Sequence, residues 1–527
     1  MNGTNCMSAD LVLINGNIVT MNPSQPAAQA VAINNGLVVA VSSNVKIKQW
    51  IGKNTKIVNL HGKTLVPGFT DSHVHMADFG FSLNRINFRG VTSIEAMQKL
   101  LQEKVQKTPK GKWILGRGWD QECFREKRYP TRWDLDKVSP DNPVAFTRVC
   151  GHVGVANSKA LGVAGISKNT RAPSDGLIDR DSKGEPTGFL CEAAYDLILS
   201  SVPKPNEDEI AQACILACEE AIQAGLTSVH WIVGNAMEIR VLQRLKKQGK
   251  LLLRVYLLIP AALLRFYAKA GLCTGFGDDM LRLGGVKIFV DGSLGGRTAA
   301  LEKTYSDAST EGMLFLSTEE LTKMINDAQS AGFQACVHAI GDRAIATVLN
   351  AFESASRGKC DNPWRHRIEH ASVLNKQLIK RLKSLGLIAS VQPHFVVSDF
   401  WVEARLGSAR AKWAHPFKTL IENNVLITGG SDCPVELIDP LLGVYALVAR
   451  EFFPEERVSV EEALKVYTLN AAYASFEEND KGSIEPGKLA DFAVLSHNPL
   501  TVNPKKIKNI HVEMTIVGGK TVFQKKN

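Results

Sequence analysis

Apolar residues in this chain gather into short unbroken runs rather than long helical stripes. The runs are Leu65–Asp71, Gly225–Trp231, Leu251–Ile259, Leu283–Asp291, Phe333–His338, Arg367–His370, Leu387–His394 and Val425–Asp432. A continuous apolar run bounded by turn residues reads as a strand buried on both faces. From His338 to His370 is 32 residues, the length of one strand-plus-helix unit, and from His370 to Asp432 is 62, two units with Leu387–His394 filling the gap. Eight such units, starting at Leu65 and ending at Asp432, describe an α/β fold: a (β/α)8 TIM-type barrel with its polar strand ends at the C-terminal face.

Both chain ends depart from this pattern. Asp10–Thr20 and Ala30–Val41 alternate like exposed strands, with Asn15-Gly16 and Asn35-Gly36 as hairpin turns, and Ala490–Ser496 and Val512–Phe523 repeat the grammar. Neither end is long enough for a stable sheet alone, so residues 1–64 and 484–527 are expected to combine into one small β-sandwich. The barrel then takes 65–80 and 190–483. His75 to Lys287 spans 212 residues where three βα units need about 100, which places an inserted lid or cap at 81–189. Gly176–Asp181 and Gly184–Gly188 read as turns that end it.

The 527 residues are 45% hydrophobic and 22% charged, the balance of a soluble globular protein. A net charge of +9 invites a nucleic-acid reading. The basic residues, however, form short clusters such as Lys246–Lys250 and Lys505–Lys508 without interleaved aromatics, so nucleic acid is excluded as a partner. No apolar stretch reaches membrane-spanning length, which excludes a membrane role. The polar N-terminus lacks the basic and apolar regions of a signal peptide. Ten cysteines without paired spacing then read as reduced thiols, and the expected location is cytoplasmic. Cys214 and Cys218 fall one turn apart on a helix opened by the capping box Asn206–Glu209.

The candidate chemistry lies at the strand ends. Alternation puts Asp71, His73 and His75 on one face, and two imidazoles so placed can hold one divalent metal. Four later runs end in metal-competent side chains: Lys287 with Asp291, His338, His370 and Asp432. Lys287, Phe289 and Asp291 point opposite to Val286, Ile288 and Val290, so Lys287 faces the barrel interior if the apolar set faces the helices. An unpaired ammonium there is costly.

These residues, with Pro67–His75, Gly118–Gln121, Gly151–Val153, Lys287–Ser293, His338–Arg343, Ile368–His370, Gly430–Asp432 and Gly482–Asp491, resemble the amidohydrolase superfamily. The likeness is to its family-3 members, similar to N-substituted formamide deformylase, and it covers nearly the whole chain. It implies a divalent-metal barrel beside a composite sandwich and hydrolysis of a carbon–nitrogen bond.

On that resemblance His73 and His75 bind a first metal and His338 and His370 a second, with zinc the leading expectation and one or two metals per chain. Buried lysine shifts its pKa readily, and a neutral amine takes up carbon dioxide. The resemblance implies such a carbamate at Lys287, bridging the two metals; the alternative is a cation paired with Asp291 or another acid. Asp432 is expected to be both ligand and proton shuttle for a metal-activated hydroxide, and also a helix N-cap. His366 is read as packing below the site. Asp291, His152 and Trp119 are candidate substrate contacts, and Phe79, Phe81, Trp119, Phe395 and Trp401 a candidate apolar pocket. The substrate is expected to be a small-molecule amide, N-formyl or N-acyl, and the assembly a homodimer. Competing readings are a deaminase or cyclic-amide hydrolase on the same barrel, a lactonase or phosphoester hydrolase, and a non-catalytic scaffold.

Overall fold

The computed structural model describes residues 8–148, 153–173, 176–356 and 362–526. Contacts divide the chain into two compact units, 1–79 with 214–527, and 80–213.

The larger unit holds an eight-stranded, all-parallel sheet in which every strand neighbours the next in sequence. Its strands are β1 (Phe69–Val74), β2 (Leu226–Ile232), β3 (Arg254–Pro260), β4 (Leu281–Phe289), β5 (Gln334–Ala339), β6 (Arg367–His370), β7 (Ile388–Val391) and β8 (Ile427–Gly429). All residues of β1, β2, β5, β6, β7 and β8 are buried, as expected of strands enclosed on both faces. The sheet rolls into a nearly closed TIM-type barrel. Ser72 Oγ donates to Gly429 O (2.8 Å), Asp432 N to His73 O (2.7 Å) and His75 N to Cys433 O (2.9 Å), so the seam between β8 and β1 is joined by the residues that carry the candidate chemistry. Gly430 is required in that seam, since a Cβ there would sit 2.5 Å from His73 N.

The outer helices follow from sequence in the same way. Ser317 and Glu320 form a capping box at the start of Thr318–Ser330, and Leu321, Ile325 and Ala328 supply its buried stripe.

The sandwich uses both chain ends. Leu11–Ile14, Ala30–Asn34, Leu37–Ser42 and Lys56–Asn59 make one sheet. Asn17–Val19, Ala27–Ala28 and Thr64–Pro67 join Phe492–Leu495, Val512–Val517 and Lys520–Gln524 in the other. Leu13, Val31 and Ile33 from the first share one core with Ile18, Leu65, Phe492 and Ile516 from the second. Arg254 of β3 ties this body to the barrel through Asp491, at 2.5 and 3.0 Å.

Two expectations change here. The run from Leu65 is not one barrel strand: Thr64–Pro67 pairs antiparallel with Phe492–Leu495, and β1 begins at Phe69. Gly68 marks the transfer, because a Cβ at that point would meet Thr227 Oγ1 at 2.1 Å. Asn35-Gly36 is the hairpin turn anticipated, with φ of 49° and 77°. Asn15-Gly16 instead links strands that lie in different sheets.

The smaller unit contains a six-stranded sheet in the order Gly176–Arg180, Pro186–Glu192, Val153–Ala156, Val144–Arg148, Ile114–Trp119, Ile86–Asn87. The stretches read as terminating turns at 176–181 and 184–188 are therefore mostly the two strands of a hairpin. The end placed at 189 falls inside Pro186–Glu192, and the unit runs on to Ala213. The capping box at Asn206 and Glu209 is present, and Cys214 and Cys218 are buried free thiols. Among the described residues no helix is long and apolar enough to cross a membrane.

Candidate metal centre

The end of β1 delivers His73 into the barrel and His75 just beyond the strand. The β8 tail brings Asp432 to meet them. His73 Nε2 lies 3.4 Å and His75 Nε2 3.3 Å from Asp432 Oδ1. Among the described residues these three side chains alone form a His, Cys, Asp or Glu cluster with ligand atoms all within 4.8 Å. Asp71, expected on the same face, serves the backbone instead. It accepts from His73 N (3.0 Å), Ser431 N (3.1 Å) and Ser431 Oγ (2.5 Å), and burial pushes its carboxyl up to about 6.

Around this triad the barrel gathers Lys287, His338 and His370. Lys287 Nζ is 3.2 Å from His73 Nε2. The His370 ring lies 4.7 Å from that of His73 and 4.4 Å from that of His338, centre to centre. All six expected ligands thus converge at the C-terminal ends of the strands.

The hydrogen bonds behind the rings decide which nitrogens face inward. His73 Nδ1 donates to Glu369 Oε2 (2.5 Å), His370 Nδ1 to Gln392 Oε1 (2.6 Å) and His338 Nε2 to Gly292 O (3.1 Å). Each partner is an acceptor, so the opposite nitrogen of each ring keeps its lone pair. Burial drives His338 down to about 3, with the Lys287 charge adding to it, and His370 well below the usual range. Both are neutral imidazoles at pH 7. For Asp432 burial alone would raise the pKa; the adjoining His73 and His75 rings outweigh it and hold the carboxyl well below its ordinary range. Burial lowers Lys287 to about 8, while the carboxylates of Glu369 and Asp432 pull the other way. Neutral imidazoles with a carboxylate make a donor set that suits a divalent metal of the zinc type, and Lys287 stands among them.

Several supporting residues escaped the sequence reading. Glu369, wholly buried, is gripped by Arg367 Nε at 2.5 Å as well as by His73. Gln392 orients His370, and Ser431 braces Asp71. The available signal for the first was Arg367-Ile-Glu369: two opposite charges on one face of a four-residue strand buried throughout.

Other candidates take structural roles. No ion pair joins Asp291 to Lys287. The Asp291 oxygens accept from Ile340 N (3.0 Å), Gly341 N (2.9 Å) and Ala300 N (2.9 Å), binding the loop after β4 to the one after β5. Trp119 is 0% exposed, in a core with Phe88 and Phe146, and donates Nε1 to Phe146 O (2.9 Å), so no face is left for a substrate. His152 lies outside the described residues. Phe395 is buried beside His415, and Trp401 packs into the loop core with Leu294 and Leu406. The aromatic ring at the centre is Phe289, which is 49% exposed, 4.9 Å from Lys287 Nζ and 5.2 Å from the His338 ring. His366 packs as expected: it stacks on Phe352, accepts from Ala335 N (2.8 Å) and is held down to about 3 by burial.

A parallel eight-stranded barrel with inward imidazoles and a carboxylate at its C-terminal end is the architecture of a metal-dependent hydrolase. Comparison with known proteins gives the family: residues 56–523 match the amidohydrolase family model, and the chain belongs to that family. It is 35% identical to Bacillus subtilis YtcJ, named as an amidohydrolase, over 97% of this chain and 98% of that one. It is 28% identical to the N-substituted formamide deformylase of Arthrobacter pascens, over 97% of both. An uncharacterised metal-dependent hydrolase from Pyrococcus furiosus has the same fold, with a TM-score of 0.80 and 33% identity over 93% of this chain and 100% of that one. The protein is therefore a hydrolase acting on carbon–nitrogen bonds.

Proposed function

We propose that the protein hydrolyses a non-peptide amide of a small molecule, an N-formyl or N-acyl amine, to an amine and a carboxylate. The observation that carries this reading is the convergence of His73 Nε2, His75 Nε2 and Asp432 Oδ1 within 4.8 Å of one another. His73, His75 and Asp432 would hold one divalent metal, with His338 and His370 supplying donors for a second. A divalent metal held there would supply the acidity that lets a water give up a proton and attack a carbonyl near neutral pH. Asp432, held ionised beside the two imidazoles, would receive the proton of that water. As the carbon–nitrogen bond breaks, Asp432 returns the proton to the departing nitrogen. Lys287, whose burial favours the neutral amine, would take up carbon dioxide as a carbamate if the site holds two metals. Phe289 presents an apolar face beside these groups, which suits an apolar substituent on the substrate.

The test is elemental mass spectrometry on protein purified without chelators in bicarbonate, followed by a panel of N-substituted formamides, N-acyl amines, cyclic amides and lactones. About two zinc equivalents, falling in Lys287→Ala, support the carbamate-bridged site. About one keeps the hydrolase and leaves Lys287 unmodified. Turnover confined to lactones would overturn the amide assignment.

A further inference from the structure

Inside the barrel, beneath the ligands, lies a buried ion pair that the proposed reaction does not use. Glu369 and Arg367 are both 0% exposed. Arg367 Nε and Nη2 reach Glu369 at 2.5 and 3.1 Å, Nη2 also donates to Ser72 O (2.6 Å), and Nη1 to His230 Nδ1 (2.8 Å). These contacts link β6 to β1 and β2. Glu369 Oε2, which takes the Nη2 bond, also accepts from His73 Nδ1 at 2.5 Å.

A buried ion pair is a poor way to stabilise a core, because desolvation of two charges offsets their attraction, and apolar residues of similar volume often do as well or better. What the pair does that an apolar core cannot is fix His73. A carboxylate only accepts, so His73 must carry its proton on Nδ1 and present the Nε2 lone pair toward Asp432 and Lys287. An amide at the same place could turn its NH2 to Nδ1 and allow the opposite tautomer, with Nε2 protonated and unable to bind metal.

We propose that Arg367 and Glu369 are positioning residues for the metal centre: Arg367 holds Glu369 pointed at Nδ1, and Glu369 fixes the His73 ring with Nε2 toward the site. This rests on the metal-site reading above. Its test reads metal affinity rather than turnover.

Zinc is titrated into the full-length chain in competition with a chromophoric chelator, for wild type, Glu369→Gln and the double variant Arg367→Met/Glu369→Gln. The double variant leaves no unpaired buried charge, so it remains folded should the single one not be, with circular dichroism as the check. Loss of a carboxylate behind a ligating histidine is expected to weaken zinc about 10- to 100-fold in both variants. A purely structural role predicts that the double variant regains wild-type affinity along with its fold, and that result would overturn the proposal. Affinity within about twofold of wild type in a folded Glu369→Gln would overturn it too. Wild-type protein that takes up no zinc would overturn the metal reading itself, an outcome distinct from the other two.

Discussion

Lys287 should make the metal-free protein less stable than it would be without that residue. Its amine is wholly buried, and burial lowers its pKa from 10.5 to about 8 in the folded chain. Below pH 8 the lysine is charged both folded and unfolded, so the whole difference weighs against folding. At 1.36 kcal/mol per tenfold change, a gap of about 2.5 comes to about 3 kcal/mol. As pH rises from 8 toward 10.5, the unfolded chain holds more protons than the folded one, and the penalty fades. Methionine in place of Lys287 keeps most of the volume and removes the charge. Metal-free Lys287→Met should therefore unfold at higher urea than metal-free wild type at pH 7, with a gain of up to about 3 kcal/mol that shrinks as the pH approaches 10. The measurement is urea unfolding of chelator-stripped protein at pH 7 and 9.5, followed by tryptophan fluorescence. A metal-free variant with a midpoint at or below that of wild type at pH 7 would refute the reasoning, because it would mean that the buried ammonium is compensated.

Three further outcomes are expected. Asp432→Asn should keep its circular dichroism spectrum and lose about 10²- to 10⁴-fold in kcat, the contribution of a positioned proton carrier; unchanged kcat would remove Asp432 from proton transfer. His366 is neutral in the folded state because burial holds it near 3 against 6.5, so the unfolded chain binds the extra proton below 6.5 and stability falls with pH. At pH 5 that amounts to about 2 kcal/mol, and His366→Gln, measured by urea unfolding at pH 7 and 5, should show a shallower loss. Trp119→Ala should lower the stability of the inserted unit by about 3–5 kcal/mol, read as earlier cleavage between residues 80 and 213 in limited proteolysis. The substrate KM of protein that is still folded should be unchanged.

The barrel was legible because strands enclosed on both faces must be apolar throughout, and β2, β5 and β6 each carry a polar residue at or near the C-terminal end as a visible exception. The residues that converge at the barrel mouth were legible for the same reason: a polar side chain at the tip of an apolar run stands out. What periodicity could not show was where one apolar run changes partners. Thr64–Val74 reads as continuous, yet it breaks at Gly68 between a sandwich sheet and the barrel, and only the proximity of Thr227, 159 residues later, explains the break. The backbone hydrogen bonds of Asp291 and the burial of Trp119 were not legible, because polar and aromatic residues beside a motif serve packing as readily as chemistry. Glu369 was missed because its partner His73 is 296 residues away, and local sequence holds no trace of that bond.

The seam between β1 and β8 also sets an order of events in the life of the molecule. Ser72 and Gly429, bonded across it, are 357 residues apart. At ribosomal rates of about 5–20 residues per second, roughly 20–70 s separate the synthesis of the two edges. Throughout that interval the nascent chain carries His73 and His75 without Asp432, and so without the third member of the donor set. On the proposed metal reading, capture by this triad would wait until the last barrel strand has left the ribosome and docked, and a chain cut short before Asp432 would retain two of its three groups.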